Sequence, residues 1–426
     1  TAYEIASCLV GSEMCIRDRF VMLSFGFASG LPFILILSTS SAWLRDVDIA
    51  KTYIGFFSWV TIWYALKFLW APLVDRFSIP YFVRFGHRKS WILLMQLIIF
   101  FNLLFISNID PKTNLFLFCV TALFVAWAGS ILDIAIDAFR IEYAEIKDQG
   151  SLAAAYQLGY RIAIIIAGSL ALIFADNYGW SLTFKFMAGF MLLGLLGIFF
   201  SKEEENLNLG KLNLRNAVIE PLKDFFSRFG LFMATMLLLI IATYRLTDLM
   251  MGPMANVFYI DMGFTLTEIG GVVKVVALFA AILGVYIGSV LIKQLGLYRS
   301  LLAGASLVMI TNILFGYVAV TEKSIISLSV IVAMDSLAAG VVGTVNIAFL
   351  TSLVSKKFTA VQYAMLTSFM MLPGKFLSGF SGILADYYVS TSSLELGWTY
   401  FFYTTSAMSI PALLLIVIYK KNYAAN

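Results

Sequence analysis

The 426-residue chain is 61% hydrophobic and 13% charged, with a net charge of +4, whereas soluble domains run at roughly 45–50% apolar and about 25% charged. Its mean hydropathy of +0.91 means more apolar surface than a soluble core can bury, so a lipid bilayer has to be its partner. The weak positive charge argues against nucleic acid; the single His87 and the three cysteines Cys8, Cys15 and Cys119, which lack metal-ligand spacing, argue against histidine catalysis, a metal cluster and a disulfide framework.

Residues 1–19 are mixed in polarity and carry no cleavable signal pattern. The tract CLVGSEMCIRDR within them is expected to lie outside the fold, as a non-native or disordered cytoplasmic tail. Beyond it, a hydrocarbon core of about 30 Å needs about 20 mostly apolar residues per helix. Twelve such stretches follow, near 20–44, 52–73, 91–107, 114–139, 151–175, 181–200, 229–258, 267–292, 300–320, 325–354, 361–386 and 398–419. The fold class is therefore an all-α polytopic membrane protein. The polar stretch 201–228 separates an N-terminal six-helix bundle (20–200) from a C-terminal one (229–420), and 421–426 forms a short tail.

Cytoplasmic connections carry an excess of Lys and Arg. With the N-terminus inside, inner segments collect most of the 29, among them Arg17, Arg19, Arg84, Lys147, Arg228 and Lys420, while outer ones hold Arg45, Lys51, Lys112 and Lys323. Both termini are expected to be cytoplasmic. Lys51→Gln, in the first outer connection, is expected to be near neutral. A short repeat supports the six-plus-six division. Ala175-Asp176 precedes Gly179-Trp180 after the fifth stretch, and Ala385-Asp386 precedes Gly397-Trp398 after the eleventh. Half-to-half symmetry is how many transporters are built.

Charges inside the bilayer cost roughly 2.5–3.5 kcal/mol each on insertion scales, so they rarely face lipid. The second stretch places Trp63, Lys67 and Trp70 at helical spacing, which would stack them on one side. The fourth has Asp133, Asp137 and Arg140 at i, i+4 and i+7, on one helical stripe. The fifth has Gln157 and Arg161, the latter near the midplane. The seventh has Tyr244, Arg245 and Asp248 before the helix-breaking Gly252-Pro253. Lys274, Asp335 with Asn346, and Lys375 after Pro373-Gly374 mark the eighth, tenth and eleventh. Interior bases outnumber interior acids, with Lys185 nearer a rim, and surplus Arg and Lys suit a carboxylate or phosphate solute. These residues are the solute-binding candidates. Two nearby carboxylates in a dry site favour sharing a proton, which makes Asp133 or Asp137 a candidate proton carrier. The alternative is a salt bridge from Asp137 to Arg140 or Arg161. Asp137→Asn is expected to abolish coupled uptake.

The connection after the second stretch, APLVDRFSIPYFVRFGHRKSWILL, is similar to the G-x-x-x-D-R-x-G-R-[RK] loop of the major facilitator superfamily, with an insertion before the basic pair. In that family this loop holds the cytoplasmic face shut, which implies a cytoplasmic gate of Asp75, Arg76, Arg88 and Lys89. The counterpart in the second half, Gly288 to Gly296, has Ile292 in place of the acid. Five stretches in order, FGFASGLPFILILSTSSAWLRD, LKFLWAPLVDR, DIAIDAFRIE, GYRIA and FLTSLVSKKFTAVQYAMLTSF, resemble the AmpG-type muropeptide permeases within that superfamily. The resemblance implies a major facilitator fold of two six-helix pseudo-repeats and no cofactor. It implies proton-driven import of anhydromuropeptides, amino-sugar glycopeptides, across a bacterial inner membrane for peptidoglycan recycling by a carrier acting as a monomer. It places the family's acidic motif on Asp133 and Asp137 and its arginines on Arg140 and Arg161. Leu132 stands where the family often has Gln. The eukaryotic acetyl-CoA transporters share the D-I-A-[IV]-D core, so acetyl-CoA or another organic anion is the alternative cargo. An intramembrane enzyme would need a nucleophile–base pair or a metal set, and a sensor would ordinarily add a soluble output domain; neither is visible.

Overall fold

Backbone N–H and C=O groups placed in hydrocarbon must be bonded within the chain, and a helix does this inside one segment. The computed structural model describes residues 2–77, 79–80, 86–143, 149–201, 214–355 and 359–423, and among these all regular structure is helical. Ten helices are long and apolar enough to cross a membrane: Ile16–Asp46, His87–Ile106, Leu115–Tyr143, Ser151–Tyr178, Trp180–Phe200, Leu231–Asp261, Leu266–Leu295, Leu297–Ala319, Ile325–Leu353 and Leu394–Tyr419. The two other predicted spans form as interrupted helices, so in chain order we number these elements helix 1 to helix 12.

Helix 2 (51–76) is Lys51–Phe57, a tighter turn Ser58–Thr61, Ile62–Ala65, a second tight turn Lys67–Leu69, then Ala71–Arg76. Pro72 explains the last break. A proline lacks the N–H that would bond the carbonyl four residues back. The predicted stack of Trp63, Lys67 and Trp70 on one continuous helix is therefore corrected, because the chain breaks at Leu66 (φ −91°, ψ 9°). Helix 11 is Thr359–Ser378, which contains Pro373, followed after a turn by Ser381–Thr391. The apolar span of helix 1 starts at Ile16, and Tyr143 on helix 4 donates a 2.5 Å hydrogen bond to Asp18.

The chain divides into two compact units, Thr1–Trp43 with Leu66–Gly210, and Leu44–Ala65 with Lys211–Asn426. Helix pairings in the first unit recur in the second, shifted by six: 1 with 5 and 7 with 11, 1 with 6 and 7 with 12, 3 with 4 and 9 with 10, 3 with 6 and 9 with 12. The Gly-Trp repeat has the same logic. Trp180 opens helix 6 and stacks on Trp43, centroids 5.5 Å apart and planes at 5°. Trp398 near the start of helix 12 packs edge-on against Phe258 of helix 7 at 5.3 Å.

Helices 1 and 5 cross at backbone contact. A Cβ on Gly159 would lie 2.0 Å from the Leu23 carbonyl oxygen, and one on Gly26 would lie 2.0 Å from that of Tyr156. Backbone atoms cannot rotate away, so Gly159→Ala must part the helices, and overpacking typically costs about 1–3 kcal/mol or more. The expected result is a lower melting temperature of the purified protein; an unchanged one would contradict the crossing.

Lys51 is corrected by the second unit. The connection after helix 1 is only a few residues long, with Asp48 at φ +61°, so Lys51 opens helix 2 instead of extending into solvent. It is 5% exposed, with Nζ 3.1 Å from Asp261 and 3.8 Å from Asp386. Removing that charge takes a shared cation from two carboxylates, leaving Arg45 and Trp398 on Asp261 and Thr52 on Asp386, so Lys51→Gln is not expected to be neutral.

Candidate transport site

In the first unit the acidic stripe of helix 4 meets helices 1 and 5 at the crossing that Gly26 and Gly159 permit. The Asp133 carboxylate accepts a hydrogen bond from Ser29 on helix 1. Ser29 also shares a 2.8 Å hydrogen bond with the Tyr156 hydroxyl on helix 5. Lys67, exposed on helix 2, acts on Asp133 electrostatically. One turn on, Asp137 takes the Arg140 guanidinium at 3.5 Å while 41% of its side chain stays exposed. The two acids therefore differ in their direct partners: the Ser29 hydroxyl bonds Asp133, with Lys67 acting at longer range, and the Arg140 guanidinium pairs with Asp137.

Gln157 and Arg161 lie one turn apart on helix 5, and both side chains are exposed on the surface of this unit. Arg161 has no carboxylate within ion-pair distance among the described residues. At the end bearing residues 76 and 87, Arg88 donates to Glu142 (Nη2 to Oε1, 2.7 Å) and to the Val74 carbonyl at 3.2 Å. Lys89 donates to the Ser201 carbonyl at 2.6 Å. The side chains of Asp75 and Arg76 lie outside the described residues. Glu142, absent from the sequence-based gate, supplies the acid that ties Arg88 to the end of helix 4.

In the second unit helix 7 breaks at Arg245 (φ −110°, ψ 12°) and again at Gly252–Met254. Arg245 Nε lies 3.6 Å from Asp248 Oδ2. Transporters place solute and ion sites at such broken helices. Asp335 on helix 10 accepts a 2.9 Å hydrogen bond from Thr311 on helix 9. Lys375 is buried and donates to Thr61 Oγ1 at 2.8 Å. Lys274 follows a widened turn, Ile269–Val273, on helix 8. Tyr244 is 6% exposed within the core of this unit, and its hydroxyl donates to the Leu301 carbonyl at 3.3 Å.

The sequence profile of the Major Facilitator Superfamily matches residues 20–378. The chain is 31% identical to the anhydromuropeptide permease of Escherichia coli K12, over 94% of this chain and 79% of that one. It is also 31% identical to the putative transporter AmpG 4 of Rickettsia conorii, over 93% of this chain and 95% of that one. The chain belongs to the AmpG-type permeases of the major facilitator superfamily. Solved structures share the fold at 13% identity. A point mutant of the nucleoside transporter NupG aligns with a TM-score of 0.72, over 94% of this chain and 99% of that one. A D-xylose–proton symporter aligns at 0.70, over 95% and 96%. The protein is thus a multi-pass membrane transporter of a small molecule and not an enzyme.

Within this AmpG-type transporter, the FTAVQYA stretch has a visible structural task. Gln362 uses every hydrogen-bonding position of its amide. Oε1 accepts from Arg228 Nη2 (3.0 Å) and the Ser355 N–H (2.7 Å), and Nε2 donates to the Pro221 carbonyl (2.8 Å) and Asp224 (2.9 Å). It joins helix 11 to the amphipathic linker helix Leu214–Phe229. Gln362→Ala removes these four bonds and is expected to expose Arg228 to trypsin faster than in the parent. The hydrogen bond from Gln362, with help from Arg228, holds the Asp224 carboxyl below its usual pKa. A depressed carboxylate pKa stabilises above the unfolded value and loses that contribution as pH falls through the folded one. Protection of the linker helix is therefore expected to be flat near neutral pH and to fall on the acid side; protection lost on the alkaline side would contradict this.

Ser29, Tyr156, Glu142, Asp261 and Gln362 were not singled out from sequence as site residues. Ser29, Glu142 and Gln362 carried a local signal, their places in family stretches. The others are set by which helices touch.

Proposed function

We propose that the chain imports anhydromuropeptides together with protons, by alternating access, in a bacterial inner membrane with both termini cytoplasmic. The exposed Arg161 carries the reading. It lies ten residues into helix 5 from Ser151, about 15 Å at 1.5 Å per residue, which is mid-membrane depth. A guanidinium facing lipid there costs roughly 2.5–3.5 kcal/mol or more, so this face lines a water-filled path. Arg161 then offers its fork to an anionic group, and Gln157 offers an amide to a polar one. The cargo follows from the name of the Escherichia coli relative, an anhydromuropeptide permease. Asp133 is the proton carrier in this reading, because its partners are hydroxyls that suit either protonation state; Asp137 keeps Arg140 in place.

The test is uptake of labelled N-acetylglucosaminyl-anhydro-N-acetylmuramic acid into proteoliposomes, with and without an inward proton gradient, and with acetyl-CoA as competitor. Gradient-stimulated uptake that acetyl-CoA does not reduce is the expected result. Absence of sugar uptake by folded protein, with acetyl-CoA transported instead, would replace the cargo.

A further inference from the structure

A serine hydroxyl on a helix often bonds a carbonyl of its own preceding turn. Ser24 does so with the Phe20 carbonyl (3.0 Å) and Ser130 with that of Trp127 (2.8 Å). Ser29 does not. Its hydroxyl donates across to the Asp133 carboxylate and shares a second hydrogen bond, of 2.8 Å, with the Tyr156 hydroxyl. Ser29 is buried, whereas Tyr156 keeps part of its surface open and is followed by the exposed Gln157.

The number of hydrogens fixes the sense of this chain. An ionised carboxylate only accepts, and a hydroxyl carries one hydrogen. With Asp133 charged, Ser29 gives its hydrogen to the acid, so Tyr156 must donate the second bond. With Asp133 protonated, the acid donates to Ser29, Ser29 donates to Tyr156, and the phenol hydrogen turns away from Ser29. The only proton gained is the one on Asp133; two hydrogen bonds reverse direction.

We propose that Tyr156 binds the solute, and that it has a hydrogen to offer only when Asp133 is protonated. This rests on the assignment of Asp133 as proton carrier. With the acid ionised, Tyr156 spends its hydrogen inward and shows the solute only oxygen lone pairs, near a negative charge. With the acid protonated it shows a donor, on the helix that carries Gln157 and Arg161. A carboxylate or carbonyl oxygen of the solute suits the second arrangement. Proton and solute then favour each other's binding, and the effect is reciprocal. Among the described residues, the charged or titratable groups acting on Asp133 are Lys67 of helix 2, Asp137 of helix 4, and Tyr156 and Tyr160 of helix 5. Tyr160 is the control. Its ring lies against helix 1, 3.1 Å from where a Cβ on Gly30 would stand, and its hydroxyl makes no hydrogen bond among the described residues.

Two measurements separate the relay from the cargo. The first uses no solute. Difference infrared spectra of the protein with ring-deuterated tyrosine, recorded on acidification, follow the tyrosine bands, which move when a phenol changes from donor to acceptor. A tyrosine signal is expected in the parent and in Tyr160→Phe, and is expected to vanish in Tyr156→Phe, Ser29→Ala and Asp133→Asn. No signal in the parent, or one as strong in Tyr156→Phe or Asp133→Asn, would overturn the relay. The second is binding of labelled N-acetylglucosaminyl-anhydro-N-acetylmuramic acid to purified protein in mildly alkaline and mildly acidic buffer. Parent affinity is expected to rise on acidification by roughly tenfold, within the span of about 5–150-fold typical of coupled sites. In Tyr156→Phe and Ser29→Ala it is expected to be flat, with no further loss in the double variant, because the two residues act through one chain. Tyr160→Phe is expected to keep the parent's dependence. Full pH dependence in Tyr156→Phe would overturn the proposal as well. Infrared reversal with no sugar bound would leave the relay standing and overturn the cargo reading, and acetyl-CoA then takes the sugar's place in the binding measurement.

Discussion

Asp133→Asn is expected to abolish proton-driven accumulation of solute while sparing solute exchange down its own gradient. A proton-motive force of about 100 mV supplies about 2.3 kcal/mol per proton. At 1.4 kcal/mol per tenfold, one coupled proton supports roughly 40-fold accumulation. The Asn side chain keeps the shape of the acid and can still bond Ser29, but it binds and releases no proton. Accumulation in proteoliposomes should therefore fall to equal concentrations on both sides, while counterflow with preloaded solute persists. Asp137→Asn removes a partner of Arg140 and is expected to impair uptake and counterflow together, since weakening that ion pair disturbs a guanidinium that is itself a binding candidate. Accumulation undiminished in Asp133→Asn would sink the assignment of the proton and return it to Asp137.

Arg161→Gln is expected to weaken solute binding more than any other single change on helix 5. Truncating one partner of a desolvated charge pair typically costs about 2–5 kcal/mol; at about 3 kcal/mol, KM rises roughly 100-fold. Arg161→Lys keeps the charge but loses the planar fork, so a smaller loss, about tenfold, is expected. Lys185 gives the contrast. It is exposed on helix 6 beside Phe186 and Phe190, near the rim, and Lys185→Gln should leave KM unchanged. Equal effects of Arg161→Gln and Lys185→Gln would mean that general surface charge, and not a solute contact, explains the arginine.

Helix periodicity and bilayer thickness made most spans readable from sequence, because a membrane helix must be continuously apolar over a fixed length. Spans read as continuous are interrupted at Leu66 in helix 2, at Arg245 and Gly252–Met254 in helix 7, and between Ser378 and Ser381 in helix 11, while Pro373 sits inside a continuous helix. At these breaks the apolar composition persists while the regular hydrogen-bond ladder does not. The acids and bases at membrane depth were equally legible, since each is costly in lipid and so stands out.

The sequence by itself determined the class of fold and the identity of the intramembrane charges, because desolvation cost and helical period act on single residues and near neighbours. Only the tertiary structure decided the pairings. Asp133 went to Ser29, which in turn meets Tyr156 at a crossing two glycines allow, and Asp137 went to Arg140. Tyr244 turned into a core, and Lys51 left the solvent for Asp261, more than two hundred residues along the chain. A hydrogen bond or ion pair is short-ranged in space but blind to separation in sequence. Its partner is fixed by which helix faces pack together, and no local pattern records that.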